Sequence, residues 1–128
     1  MIVIVLGMHR SGTSTLSGVL HMNKVTMGTY QTFWPRPLNQ NPKGFYENYD
    51  FRNINDQMLK FSGYDVKSYK TDIPSVQAND KIYSKMRNLV QNCNFQFGDW
   101  GWKDPRTCLT VKYWVDIIRE LGFLDEVK

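Results

Sequence analysis

The sequence predicts a three-layer α/β/α domain, with helices over both faces of a short parallel sheet, and three observations predict it. An apolar run from Met1 to Leu6 ends at Gly7. A glycine-bounded loop, Gly7-Met8-His9-Arg10-Ser11-Gly12-Thr13-Ser14, joins that run to a segment with helical patterning. A second short run, Trp100 to Lys103, passes through Asp104-Pro105-Arg106 into another helical pattern. Parallel strands of this kind need a helical layer on each side, because neither sheet face can be left in water.

The elements follow in chain order. Ile2 to Leu6 reads as a buried strand, and Thr13 to Met22 as a helix carrying Leu16, Val19 and Leu20 on one face. From Asn23 to Gly44 the chain is rich in Pro, Gly, Asn and Thr, with Trp34-Pro35-Arg36-Pro37 at its centre, which predicts a loop or lid. Helical spacing returns from Asn48 to Phe61 (Phe51, Ile54, Met58, Leu59) and from Asn79 to Asn92 (Ile82, Met86, Leu89, Val90). The polar stretch between them, Ser62 to Ala78, is expected at the surface. Trp100 to Lys103 predicts a strand. Thr107 to Leu121 predicts a helix that packs Leu109, Trp114, Val115, Ile118 and Leu121 on the sheet, with Gly122 as its C-cap.

Composition limits the function classes. A chain of 128 residues is expected to form one domain spanning 1–128. With 41% apolar and 14% aromatic residues it is too hydrophobic for disorder, and a mean hydropathy of -0.47 does not suit a membrane protein. The opening run has no basic flank and breaks at Gly7, so it reads as a strand and not as a signal peptide, and a cytoplasmic location is expected. The net charge of +4 suits an anionic ligand, while the absence of a long basic run argues against nucleic acid as a partner. Cys93 and Cys108 form no Cys-x-x-Cys pair, and His9 and His21 have no ligand cluster beside them, so neither disulfide framework nor zinc site is expected.

The Gly7 to Ser14 loop has the frame of a phosphate loop, with Thr13 where such loops carry a lysine. The two glycines let backbone N–H groups close around an anion at a helix N-terminus, and the lysine would normally reach the β- and γ-phosphates of a nucleoside triphosphate. Arg10 offers a replacement cation able to contact phosphate or sulfate through two donors. An idle strand-to-helix turn has no need of Arg10, Ser11, Thr13 and Ser14 together.

Arg10-Ser11-Gly12-Thr13 resembles the 5′-phosphosulfate loop of the sulfotransferase superfamily, a basic residue followed by Ser-Gly-Thr, and the longer Gly7 to Ser14 string is similar to its bacterial and phage branch. Asn41-Pro42-Lys43-Gly44-Phe45-Tyr46-Glu47 with Asn55-Asp56, and Trp102-Lys103-Asp104-Pro105-Arg106, resemble that branch in the same order. The resemblance runs from Met1 to about Leu121. It implies a P-loop NTPase-like fold that binds 3′-phosphoadenosine 5′-phosphosulfate (PAPS) as sulfuryl donor, needs no metal, and transfers the sulfuryl group to a hydroxyl or amine. It also implies a further strand after Gly122, leading to an arginine-and-serine motif for the donor's 3′-phosphate; as that motif is absent, an incomplete domain is expected, with a natural short form as the alternative.

Roles follow on the matching positions. Gly7, His9, Arg10, Ser11, Gly12, Thr13 and Ser14 are the expected donor loop, His9 lying beside it and catalysis by His9 not expected. Lys103 matches the lysine of a Lys-Asp-Pro motif that lies against the transferred group in tyrosylprotein sulfotransferases, and a lysine ending a strand faces the ligand crevice of an open sheet. Alternatively Asp104 caps the next helix with Pro105 in its first turn, which is compatible with that role. Arg106 either reaches the donor phosphates or pairs with Asp104. Glu47 is the candidate general base, or else a carboxylate placed by the dipole of the following helix; Asp56 and Asp104 are the reserves. Of the aromatics Tyr30, Phe33, Trp34, Phe45 and Tyr46, most should be packing and some could stack on a ring of the ligand. Two rivals remain: a noncatalytic adenosine-nucleotide-binding module, and, with the lysine missing after Gly12, a less favoured P-loop kinase.

Overall fold

A computed structural model describes residues 1–29, 31–34, 44–66 and 72–128, with Trp34 described by its backbone. The Asn41-Pro42-Lys43 part of the second motif, the Pro35-Arg36-Pro37 centre of the expected lid, Tyr30 and the Trp34 side chain lie outside the described residues. Strands β1 (Ile2–Val5), β2 (Phe33–Trp34), β3 (Glu47–Asn48) and β4 (Trp100–Lys103) alternate with helices α1 (Thr13–Met22), α2 (Tyr49–Phe61), α3 (Asp80–Gln96) and α4 (Thr107–Glu120), and a 3₁₀ turn follows at Leu124–Glu126.

β1 and β4 pair in parallel from Ile2 opposite Trp100 to Val5 opposite Lys103. Single parallel rungs extend them on both sides, Thr26 beside Trp100 and Val127 beside Ile2. The order across the sheet is therefore Thr26, β4, β1, Val127. Thr26, expected in a loop, accepts from the Gly101 amide at 3.0 Å and donates to the Asp99 carbonyl at 2.8 Å. Its neighbours Val25 and Met27 are buried against Val5, with Val3, Leu20 and Phe33 packed around them. Phe33 and Trp34 also leave the expected lid, pairing antiparallel with Asn48 and Glu47.

Alternation along the strands separates two cores. Val3 and Val5 belong to the small cluster on the side of Leu20 from α1. Ile2, Trp100 and Trp102 belong to the larger one, with Phe51, Ile54 and Met58 from α2, Ile82, Met86 and Val90 from α3, and Trp114, Ile117 and Ile118 from α4. The Phe51 ring stacks on Trp102 at 4.3 Å and 9°, and Trp114 lies 5.3 Å from Trp102.

Two helices turn inward a face that hydrophobicity predicts only in part: Leu20 of α1 and Trp114 and Ile118 of α4, with Leu121 after it, pack inward as expected, and the rest differ. In α1 the buried residues are Thr13, Ser17 and Gly18, whereas Leu16 and Val19 are each about half exposed. Close approach is the reason: a Cβ on Gly18 would stand 3.1 Å from the Tyr46 ring, and one on Gly7 2.4 Å from the Thr13 methyl. In α4 the inward stripe is Thr107, Thr110, Trp114, Ile117 and Ile118, while Leu109 and Val115 are only partly covered. The two threonines point inward because their hydroxyls meet a buried amide. Asn55, fully buried on α2, donates through Nδ2 to Asp104 Oδ2 (2.8 Å) and Thr107 Oγ1 (3.0 Å), and its Oδ1 accepts from Thr110 Oγ1 (2.7 Å) and Trp114 Nε1 (2.8 Å). Trp102 Nε1 donates to the same Thr107 hydroxyl at 3.2 Å.

Helix ends are set locally. The Asn48 side chain accepts from the Asp50 amide and starts α2, and Asn79 accepts from the Ile82 amide and starts α3. α3 runs to Gln96, beyond the expected Asn92, because Cys93 continues its buried stripe. α4 ends on Leu121. Gly122 then takes φ +80, its amide donating to Arg119 and the Phe123 amide to Ile118, each at 3.0 Å. That is the paired-bond helix stop in which glycine adopts the left-handed conformation at no steric cost.

Replacing Asn55 by leucine leaves the Trp114 N–H without its partner in the core and removes one bond each from the Thr110 hydroxyl and the Asp104 carboxylate, and should lower unfolding free energy in urea by about 2–4 kcal/mol. Burial pushes the Cys93 thiol from its usual 9.0 up to about 12, with Asp50 adding to the shift. Because the folded value lies above the unfolded one, this contribution is intact below pH 9 and is lost as pH rises from 9 toward 12. At pH 8 the native chain should therefore alkylate at the partly exposed Cys108 well before Cys93, and the order should vanish in denaturant.

Candidate anion-binding site

The chain leaves β1 through α1 toward Thr26, on one side of the β1–β4 pair, and leaves β4 through α4 toward Val127, on the other. The loops after β1 and β4 therefore diverge at the C-terminal end of the strands, the place where open α/β sheets form a ligand crevice. An open cleft of about 630 Å³ lies there. His9, Arg10, Gly12, Thr13 and Ser14 line one part of it, and Phe45, Glu47, Lys103 and Pro105 line the rest.

The first part is built by the turn before α1. Ser11 Oγ donates to the Met8 carbonyl at 2.6 Å, and the Ser11 amide donates to the same oxygen at 3.3 Å. Arg10 and Gly12 both take left-handed backbone angles, φ 61 and 84, so the chain doubles back into the helix. Gly12 is the N-cap and its carbonyl accepts from the Thr15 and Leu16 amides. The Thr13 and Ser14 amides have no hydrogen-bond partner among the described residues, and no acidic side chain occupies the first turn. Open N–H groups at the positive end of a ten-residue helix favour an anion. Gly7 and Ser11 do not line the cleft. Gly7 gives Thr13 room to pack, and Ser11 closes the turn.

The second part is an ion pair. Lys103, at the end of β4 and only 2% exposed, donates through Nζ to Glu47 Oε1 at 3.1 Å. Arg52 Nε lies 3.9 Å from Glu47 Oε2. Glu47 sits on β3, one residue before the Asn48 cap, so the antiparallel pairing with Trp34 sets where its carboxylate lies. Its partner is the lysine 56 residues further on.

Arg106 is placed elsewhere. Of the two roles open to it, pairing with Asp104 is the one present: Nη1 meets Asp104 Oδ1 at 2.7 Å and Nε meets Asp56 Oδ1 at 2.6 Å. Burial works against this charge, yet Asp104 and Asp56 together raise the guanidinium pKa above its usual value. Asp104 does not cap α4 with its side chain; its oxygens meet Arg106 and Asn55. The reserve acids Asp56 and Asp104 therefore lie outside the cleft lining. Among the aromatics, Phe45 lines the cleft, and Phe33 and Tyr46 pack edge-on at 5.3 Å beside His21.

Sequence reasoning assigned no role to Asn55, Thr107, Thr110 or Arg52. A signal existed for Asn55, an amide inside the apolar stripe of Phe51, Ile54 and Met58, where an unpartnered polar group would be costly. Arg52 carries no comparable signal. A second hollow of about 200 Å³, near Thr26, Asn48, Asp50 and Cys93, lies at the opposite end of β4 and gathers none of the groups above.

No family model, curated protein or solved structure matches this chain.

Glu47→Gln leaves the buried Lys103 ammonium with a neutral partner. It should cost about 2 kcal/mol in urea unfolding, whereas Lys103→Met with Glu47→Leu should restore much of that loss, a coupling measurable as a double-mutant cycle.

Proposed function

We propose that the chain is a sulfotransferase-type P-loop domain whose Gly7–Ser14 loop holds the 5′-phosphosulfate end of PAPS. The observation that carries this reading is the meeting, in one cleft, of Arg10, the open amides of Thr13 and Ser14, and the ammonium of Lys103. The divergence of the two crossovers at β1 and β4 supports a P-loop NTPase-like fold with the loop at its switch point. The donor supplies an already activated sulfuryl group.

The described residues fit the donor's 5′ end. Loop amides and Arg10 hold the phosphate oxygens, and Lys103, aimed by Glu47, faces negative charge that grows on the oxygens around the reacting centre, as in phosphoryl transfer. Arg106 helps by holding Asp104, whose backbone follows Lys103, and not by touching the donor. Glu47 serves as general base for a hydroxyl or amine acceptor only when its contact with Lys103 opens; in the closed pair it positions that lysine.

The same ion pair favours a second reading. Glu47 is the one carboxylate lining the cleft among the described residues, and Lys103 engages it. A domain that binds an adenosine nucleotide without turnover would have this arrangement.

Titration calorimetry with 3′-phosphoadenosine 5′-phosphate and, separately, with ATP plus magnesium tests the reading. Metal-independent preference for the former is expected, weakened about tenfold or more in Arg10→Ala, a loss near 1.4 kcal/mol. Preference for ATP with magnesium overturns it. If binding is as expected, turnover of PAPS with added acceptors separates the enzyme from the binding module.

A further inference from the structure

Lys103 has one ammonium and two claims on it. Its Nζ already donates to Glu47 Oε1 at 3.1 Å, and the side chain is only 2% exposed, so an anion entering the cleft meets a carboxylate together with the lysine. A closed lysine–glutamate pair carries no net charge and offers an incoming anion little attraction. The other carboxylate oxygen faces a second cation: Glu47 Oε2 lies 3.9 Å from Arg52 Nε. We infer that Arg52 is a positioning residue for the site proposed above, which takes Glu47 over as Lys103 turns to the sulfuryl end of the donor; the inference rests on that reading of the cleft.

Three observations lead there. The first is burial. Glu47 is 8% exposed, and a carboxylate so placed is costly to leave unpaired. Lys103 is therefore released only if another cation receives Glu47, and among the described residues Arg52 is the other cation within ion-pair distance of it. The second is the unused reach of that contact. At 3.9 Å it is an ion pair and not a hydrogen bond. Closing it to about 2.8 Å gives Glu47 a charge-assisted bond in exchange for the one to Lys103. The third is charge. Two cations around one carboxylate leave a positive charge over, so the cleft keeps its attraction for the donor while Glu47 stays paired.

The local chain makes the exchange a matter of side-chain rotation. Glu47 and Arg52 stand on either side of the Asn48 cap, whose side chain accepts from the Asp50 amide at 3.0 Å, so the turn that starts α2 sets their spacing. Lys103 comes from β4, and Glu47 can pass from it to Arg52 with no movement of the sheet. Arg52 is half-buried, which leaves its guanidinium room to approach. It does not line the cleft; it lines a neighbouring hollow of about 420 Å³ with Asp56, Lys60 and Arg106. Its effect on the donor therefore runs through Glu47.

The test is titration calorimetry of the 128-residue chain with PAPS in the absence of acceptor and, separately, with 3′-phosphoadenosine 5′-phosphate. The samples are wild type, Arg52→Gln, Arg52→Lys, Glu47→Gln and the chain carrying both Glu47→Gln and Arg52→Gln. Arg52→Gln should raise Kd for PAPS roughly tenfold, and for 3′-phosphoadenosine 5′-phosphate, which lacks the sulfuryl group, by less than about threefold. Arg52→Lys should return PAPS binding to within about threefold of wild type. In the Glu47→Gln chain, where no carboxylate needs holding, Arg52→Gln should shift PAPS binding by less than about twofold. Glu47→Gln alone, with Arg52 untouched, should bind PAPS at least as tightly as wild type. Equal losses for both nucleotides, no recovery with lysine, an undiminished Arg52→Gln effect in the Glu47→Gln chain, or weaker PAPS binding by Glu47→Gln overturns the inference. Arg52 variants that bind PAPS like wild type, beside normal binding of 3′-phosphoadenosine 5′-phosphate, remove this role alone. A wild-type chain silent to both nucleotides removes the donor reading and the role with it.

Discussion

The side chain of Asn55 organises this molecule. Its four hydrogen bonds join α2 to the start of α4 and to the residue that follows β4, all out of contact with water. A buried amide is costly unless every donor and acceptor is matched, and a matched one admits a single arrangement of its neighbours. Asp104 belongs to that arrangement, and Arg106 and Asp56 extend it to the surface of α2. The chain direction at the end of β4 is thereby set by groups that never enter the cleft. Lys103 inherits its aim from them and from Glu47.

Much of the architecture is legible from local pattern. Among the described residues, the parallel strands β1 and β4 and helices α1 to α4 lie where apolar spacing puts them, and the glycine at 122 stops α4 through the left-handed conformation that glycine favours. What local pattern misses is close packing. Leu16 and Val19 look like a core stripe with Leu20, but α1 lies so near Tyr46 that its buried residues are Thr13, Ser17 and Gly18, and only Leu20 of the three packs inward. Likewise Leu109 loses its inward place to Thr110, since a hydroxyl is what Asn55 requires at that point. The run after Asn23 reads as loop because its composition is polar, yet Val25, Thr26 and Met27 pack at the sheet edge through contacts with Asp99 to Gly101 that no short window contains.

The candidate site divides in the same way. The loop residues are visible in sequence because glycine spacing and the strand–loop–helix context are local. Lys103 and Glu47 are each visible as motif positions, but their pairing spans 56 residues and depends on the antiparallel contact between β2 and β3. That pairing changes the chemistry of both. A lone lysine beside an anion loop would attract any anion, while one held by a carboxylate answers to a ligand that competes with that carboxylate.

The tight seat of α1 has a consequence for how this chain can vary. Positions that look like core by hydrophobicity, Leu16 and Val19, face outward and can exchange freely for polar residues. Positions that look like surface by their small size, Ser17 and Gly18, touch the interior and admit no added bulk, since even a methyl on Gly18 meets the Tyr46 ring. Substitution tolerance along this helix should run opposite to hydrophobicity, so that among distant relatives the small residues, and not the leucine and valine, would mark its register.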